Sequence, residues 1–83
     1  MGRPHSSYFK PAGIRMIELE ETILTMPEFE AIRLIDFLQT PQEKAAKQMQ
    51  ISQPTLSRIL KSARKKISDS IINGKAIKIQ TNL

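Results

Sequence analysis

Small or apolar side chains at Ala45, Ala46, Met49, Ile51, Leu56 and Ile59, separated by polar ones, punctuate the run from Gln42 to Lys61. That spacing suits two short helices crossing through a tight turn, the helix-turn-helix pattern. Upstream, Ala31, Leu34, Ile35 and Leu38 follow the i, i+3, i+4, i+7 rhythm of one buried helical face, with Phe29, Ile32 and Phe37 widening it. Downstream, Leu56, Ile59, Leu60, Ala63 and Ile67 continue one dry line, predicting a long third helix from Gln53 to about Asn73, with Gly74 as a left-handed stop. Two segments alternate instead. In Arg15 to Thr25, Ile17, Leu19 and Ile23 share one parity and Glu18 and Glu20 the other, and in Lys75 to Thr81, Ile77 and Ile79 oppose Lys78 and Gln80. Both are predicted strands, pairing so that Lys78 approaches Glu18 or Glu20. Because isolated two-stranded ribbons are marginal in water, pairing between two subunits would solve that problem, and the sequence leaves pairing within or between subunits open.

End signals fix the helix boundaries. Thr25 with Glu28 and Thr40 with Glu43 each fit a capping box, and Pro27 and Pro41 suit first turns. Ser52 caps the third helix after the two-residue link Gln50-Ile51. The turn position favours a left-handed backbone, so Gln50 should cost on the order of 1 kcal/mol relative to glycine. The fold class expected is mainly α: a three-helix helix-turn-helix domain over 14–83 with a long third helix and short flanking β-strands. Residues 1–13, rich in Gly, Pro and Ser, read as an irregular arm that Tyr8 and Phe9 dock near Pro11.

Composition narrows the function. A chain of 83 residues forms one small domain, and such chains bury only about 60–65% of their unfolded surface. With no cysteine to staple the fold, oligomerisation is the remaining common aid, and a homodimer is expected. No apolar run approaches the ~20 residues needed to span a bilayer, and Met1 to Gly13 lacks the apolar stretch of a signal peptide, so a soluble, cytoplasmic protein with no membrane partner is expected. Charge is segregated: Met1 to Gln50 holds six Lys/Arg against seven Asp/Glu, whereas Ile51 to Leu83 holds seven Lys/Arg against Asp69 alone. The cationic excess therefore sits on the third helix and its extension, as in a protein that displaces counterions from phosphate.

At 100° per residue, Arg58, Lys61 and Lys65 lie opposite the dry line of the third helix, flanked at its start by Gln53, Thr55 and Ser57. An α-helix fits the DNA major groove, where amide groups pair with adenine and guanidinium groups with guanine. Gln53, Thr55, Ser57 and Arg58 are accordingly the candidate base contacts, and Ser52, Lys44, Lys47, Lys61, Arg64 and Lys65 the candidate phosphate contacts. Arg3, in an extended Gly-Arg-Pro context, is a candidate for an A·T-rich minor groove. The expected function is sequence-specific binding of double-stranded DNA by a transcriptional regulator, and the alternative is a protein-interaction module of the transcription machinery. Enzymatic chemistry is not expected. The single histidine, His5, lies in the arm, Glu18, Glu20 and Glu21 form no convergent catalytic set, Met16, Met26 and Met49 suit core gap-filling, and neither a metal nor a cofactor site is predicted.

The order GRP, YFKPAGI, LEE at Leu19 to Glu21, EAIRLID and then QEKAAKQMQISQPTLSRILKSARKKISDSIINGKAIKI resembles that of the uncharacterised family known as domain of unknown function one-three-four. The resemblance implies a DNA-binding role and a helix-turn-helix similar to the promoter-reading unit of bacterial sigma factors, in a family spread over bacteria and archaea. Members often carry cysteines near the start, absent here, and commonly an arginine where this chain has Gln53 before Pro54, so a metal role falls away and base preference differs.

Overall fold

A computed structural model describes residues 8–9 and 19–80, with the side chains described for 19–80. Along the chain come β1 (Tyr8–Phe9), β2 (Glu21–Leu24), α1 (Met26–Ala31), a π-helical continuation (Ile32–Phe37), α2 (Gln42–Met49), α3 (Gln53–Asn73) and β3 (Ala76–Ile79). The fold is mainly helical, with the long third helix and short flanking strands that the sequence predicts.

The first helix starts where its cap dictates. Thr25 Oγ1 accepts from the Glu28 amide at 3.3 Å while Glu28 Oε1 accepts from the Thr25 amide at 2.8 Å, closing a capping box. Beyond Ala31 the helix widens to i→i+5 bonding, with the Leu38 amide donating to the Arg33 carbonyl at 2.9 Å. Each residue of a wider turn rotates less than the 100° of an α-helix, so the dry stripe slips out of phase. Ala31 and Leu34 are buried and Ile35 half-buried as the rhythm requires, but Leu38 is 49% and Phe37 78% exposed, against the expectation that both face inward.

The expected capping box at Thr40 does not form. Thr40 instead helps close the preceding helix: Gln39 is left-handed at φ 59°, and the Thr40 amide donates to the Leu34 carbonyl at 2.8 Å. The next helix therefore begins one residue later, with Pro41 as its cap and the Pro41 carbonyl accepting from the Ala45 amide. At its far end Gln50 takes φ 58° and ψ 43°, and the Ile51 amide reaches back to the Ala46 carbonyl at 3.0 Å, a Schellman-type stop built without glycine. Ser52 then caps α3, its Oγ accepting from the Thr55 amide at 3.2 Å, and Gly74 at φ 67° ends α3 after 21 residues.

Ala31, Leu34, Ala45, Ala46, Leu56 and Leu60 form the core, with Ile32, Ile35, Met49, Ile51 and Ile59 packed around it. Alanines at the crossing let the helical backbones approach closely, and Leu56 has no exposed surface, worth roughly 1.5–3 kcal/mol of burial.

The strands join within one chain, in the order β1-β3-β2, one of the two pairings that the sequence leaves open. The edge strand β2 runs parallel to β3 with Glu21 opposite Ala76 and Leu24 opposite Ile79, and β1 runs antiparallel with Tyr8 opposite Lys78. A strand thus occupies part of the segment read as an irregular arm. Pairing places Lys78 opposite Ile23, so it is Lys75 rather than Lys78 that reaches Glu20, at 3.8 Å. The buried residue of β2 is Leu24, facing the helices, while Ile23 is 50% exposed, the reverse of the expected parity. Residues 10–18, with Ile17 and Glu18, lie outside the described residues.

Gln50→Gly should relieve the left-handed strain and raise stability by about 0.5–1 kcal/mol, or several degrees in Tm. Thermal unfolding checks this, and an unchanged or lower Tm would show that Gln50 carries no such cost.

Candidate nucleic-acid interface

The aim of α3 is set by a buried carboxylate. Glu28, buried beneath α3, receives Ser62 Oγ at 2.5 Å and Lys66 Nζ at 2.8 Å, and the same ammonium donates to the Ile23 carbonyl of β2 at 2.8 Å. One acid therefore ties the start of α1, the middle of α3 and the edge strand together. Burial alone would push its carboxyl up, but the hydrogen bonds from Lys66, Ser62 and Thr25 together outweigh it and hold the pKa down to about 2. The sequence marks Glu28 only as a capping partner. A further hint lies in the run of cations Arg64-Lys65-Lys66, on a helix with too few acids of its own to pair them.

Away from the dry line of α3, Gln53, Ser57, Arg58, Lys61 and Lys65 are exposed and Thr55 is half-buried, so the structure brings these predicted contact residues to one open flank. They are linked to one another. Ser52 Oγ donates to Thr55 Oγ1 at 2.9 Å, and Arg58 Nη2 reaches the same oxygen at 3.5 Å. Across the turn, Gln42 Nε2 at the start of α2 donates to Ser57 Oγ at 3.1 Å. Gln42 is not among the predicted contact residues; its place in the first turn of α2, beside the start of α3 in any helix-turn-helix, is the signal that could have found it.

Lys44 and Lys47 stand exposed on α2 beside Pro41 and Glu43, where they line a shallow recess of about 300 Å³. Arg64 is placed differently. Its guanidinium meets the Asp36 carboxylate through two hydrogen bonds, at 2.6 and 3.1 Å, which hold that carboxyl below its ordinary range, and about half of the Arg64 side chain stays exposed. Lys75 is taken by Asp69 at 2.9 Å. Among the described residues, Lys44, Lys47, Arg58, Lys61 and Lys65 have no carboxylate within ion-pair distance, although Lys65 lies near enough to Asp69 to help hold that carboxyl down, so at the helix-turn-helix they are the cations least engaged by acids. Arg3 and His5 lie outside the described residues. No group of His, Cys, Asp and Glu that could hold a metal is found among the described residues, and no described helix is long and apolar enough to cross a membrane.

The Glu28 carboxyl titrates near 2 in the folded chain and near its ordinary 4.5 when unfolded, so its contribution is complete above about pH 4.5 and is lost as pH falls toward 2. The difference corresponds to about 3 kcal/mol. Glu28→Gln should cost about 2–3 kcal/mol at neutral pH and flatten the fall in stability between about pH 5 and 2. Urea titrations across that range test this, and an equally steep acid limb in the variant would assign the dependence to other groups.

The family model described as "Protein of unknown function DUF134" matches residues 1–82. The chain is 52% identical over 77 residues to a UPF0251 protein of Caldanaerobacter subterraneus subsp. tengcongensis, covering 93% of this chain and 65% of the relative. It is 48% identical over 77 residues to one of Thermoanaerobacter pseudethanolicus, again covering 93% and 65%, and 53% identical over 76 residues to one of Methanococcus maripaludis, covering 92% and 58%. The chain thus spans somewhat less than two thirds of the length of these curated relatives. No solved structure matches it. With the family model matched from residue 1 to residue 82 and these relatives aligned along almost all of the chain, the protein belongs to the DUF134 family.

Proposed function

We propose that the protein binds double-stranded DNA with sequence preference and acts in transcriptional regulation, the N-terminal half of α3 lying in the major groove. The observation that carries this reading is the single exposed flank on which Gln53, Ser57, Arg58, Lys61 and Lys65 stand together without a carboxylate partner among the described residues, on the second helix of a helix-turn-helix. An α3 of 21 residues is about 31 Å long, enough for its first turns to occupy a groove about 12 Å wide while its last turns rest on the sheet. Lys44 and Lys47 on α2 and Lys61 and Lys65 on α3 flank that groove as phosphate contacts. Arg64 joins them through the donors that Asp36 leaves unused. In this reading the active species is a two-fold dimer, which presents two such helices to half-sites one helical turn apart.

Neutralising about six phosphates gives a slope near −5 for log affinity against log salt. A slope near zero would favour docking on a protein of the transcription machinery instead. Arg58→Ala should cost ~1–3 kcal/mol on a preferred site and blunt discrimination, whereas Lys65→Ala should weaken all duplexes alike. Fluorescence anisotropy on preferred and random duplexes separates the two; equal losses for Arg58→Ala on both would remove that residue from base reading. Sedimentation equilibrium is expected to return a dimer, and a monomer at binding concentrations would remove the two-fold arrangement.

A further inference from the structure

Resting on the DNA-binding reading, we propose that the protein selects guanine, because the side chains at the start of α3 are tied together so that Thr55 and Arg58 are left only with donors and Ser57 keeps its hydroxyl hydrogen free. Guanine is the base whose major-groove edge presents two acceptors, N7 and O6, and no donor, whereas cytosine presents an amino donor and adenine one of each.

Ser57 is committed first. Gln42 Nε2 donates to its oxygen at 3.1 Å, and among the described residues the Ser57 hydroxyl donates to no protein group, so its hydrogen is free to turn outward. Thr55 is committed more fully. A hydroxyl oxygen has two acceptor positions, and those of Thr55 are taken by Ser52 Oγ at 2.9 Å and Arg58 Nη2 at 3.5 Å, which leaves its hydrogen as the group with capacity to spare. Arg58 only donates, and its contact with Thr55 anchors one side of the guanidinium fork while the other donors face solvent. Among the described residues no carboxylate pairs with these donors: the single acid of α3 is Asp69, far down the helix and occupied by Asn73 and Lys75. Reading cytosine calls for an acceptor such as Glu or Asp, and this flank carries no carboxylate among the described residues: its acceptors are the neutral carboxamide oxygens of Gln53 and Gln42 and the second lone pair of Ser57 Oγ.

Roles follow from this geometry. Arg58 makes the two-point contact to guanine O6 and N7, and Thr55 becomes a positioning residue for Arg58 instead of the base contact expected of it. Gln42 is a second positioning residue: from the neighbouring helix it fixes which way the Ser57 hydroxyl points.

The experiment uses the whole chain. Duplexes are recovered from a random pool at low salt, and each guanine of the recovered site is then replaced by 7-deazaguanine, which keeps base pairing and O6 but deletes the N7 acceptor. Guanine is expected in every recovered half-site, and replacement at the Arg58 contact is expected to weaken binding about tenfold. Thr55→Val and Gln42→Ala should each lower the ratio of specific to random-duplex affinity by roughly three- to tenfold, with random-duplex affinity and salt slope unchanged, and Thr55→Ser should restore the ratio. Recovered sites that lack guanine, or that tolerate 7-deazaguanine at every position, would overturn the selection for guanine while leaving DNA binding intact. An unchanged ratio in both Thr55→Val and Gln42→Ala would overturn the positioning roles. Failure to retain any duplex at low salt would remove the reading on which the inference rests.

Discussion

Close approach of backbones at three alanines is the constraint from which the rest follows. Ala31, Ala45 and Ala46 are buried where the first two helices meet α3, and with no side chain beyond Cβ they let Leu56 and Leu60 settle against the crossing without a gap. Only one stripe of α3 is consumed in this way. A larger residue at any of the three would lever α3 outward and separate the turn from its two caps, whereas the small ones leave the opposite flank of the same helix in water. The division of α3 into a dry side and a wet one is therefore a packing result before it is an electrostatic one.

Electrostatics then sorts the cations. The acids of the N-terminal half are not merely solvating: Glu28 takes Lys66, Asp36 takes Arg64, and Glu20 reaches Lys75, which Asp69 of α3 also holds. These pairs differ in worth. Glu28 is buried and receives several donors at once, so its removal strands a cation over a dry crossing, while the Asp36–Arg64 pair is exposed and contributes at most about 1 kcal/mol. The consequence for the surface differs accordingly: Lys66 and Lys75 are held close by their acids, whereas Arg64 keeps about half of its side chain exposed. What remains unpaired among the described residues is concentrated at the helix-turn-helix, on Arg58, Lys61 and Lys65 of α3 and Lys44 and Lys47 of α2. Formal net charge, counted over the whole chain, blurs this distinction.

Local chemistry is legible in the sequence wherever a residue's neighbours along the chain decide its role. Thr25 and Ser52 cap as expected, Gln50 and Gly74 adopt the left-handed stops, and the dry line of α3 falls on Leu56, Leu60 and Ala63. The expectations that fail depend on bonds whose partners are distant or whose period is unusual. Nothing in IRLIDF distinguishes i→i+5 bonding from i→i+4, so a regular rhythm places Phe37 and Leu38 inward when they face out. Thr40 carries every local mark of a cap and instead closes the helix before it. Leu24 is buried rather than Ile23 because β2 pairs in parallel with β3, some fifty residues away, a register that alternation alone does not contain. On the candidate interface, spacing brings out the exposed flank, but the links from Gln42 to Ser57 and from Thr55 to Arg58 join side chains whose relation emerges only once the helices have formed and crossed.

The sheet explains how so long a helix is held in place along its whole length. Besides the helices before it, α3 packs on β2 and β3, and Ser70 in its last turns is buried, as are Leu24 of β2 and Ala76 of β3. Because β2 precedes α1 and β3 follows α3, their parallel pairing joins the two ends of the helical unit, with the Ala76 amide donating to the Glu20 carbonyl and the Gln80 amide to the Leu24 carbonyl. A tilt of α3 would have to shear that pairing and pull Lys66 from the Ile23 carbonyl at the same time. Side chains on a flank held in this manner have much of their orientation already set, so less ordering entropy is lost in any contact they make.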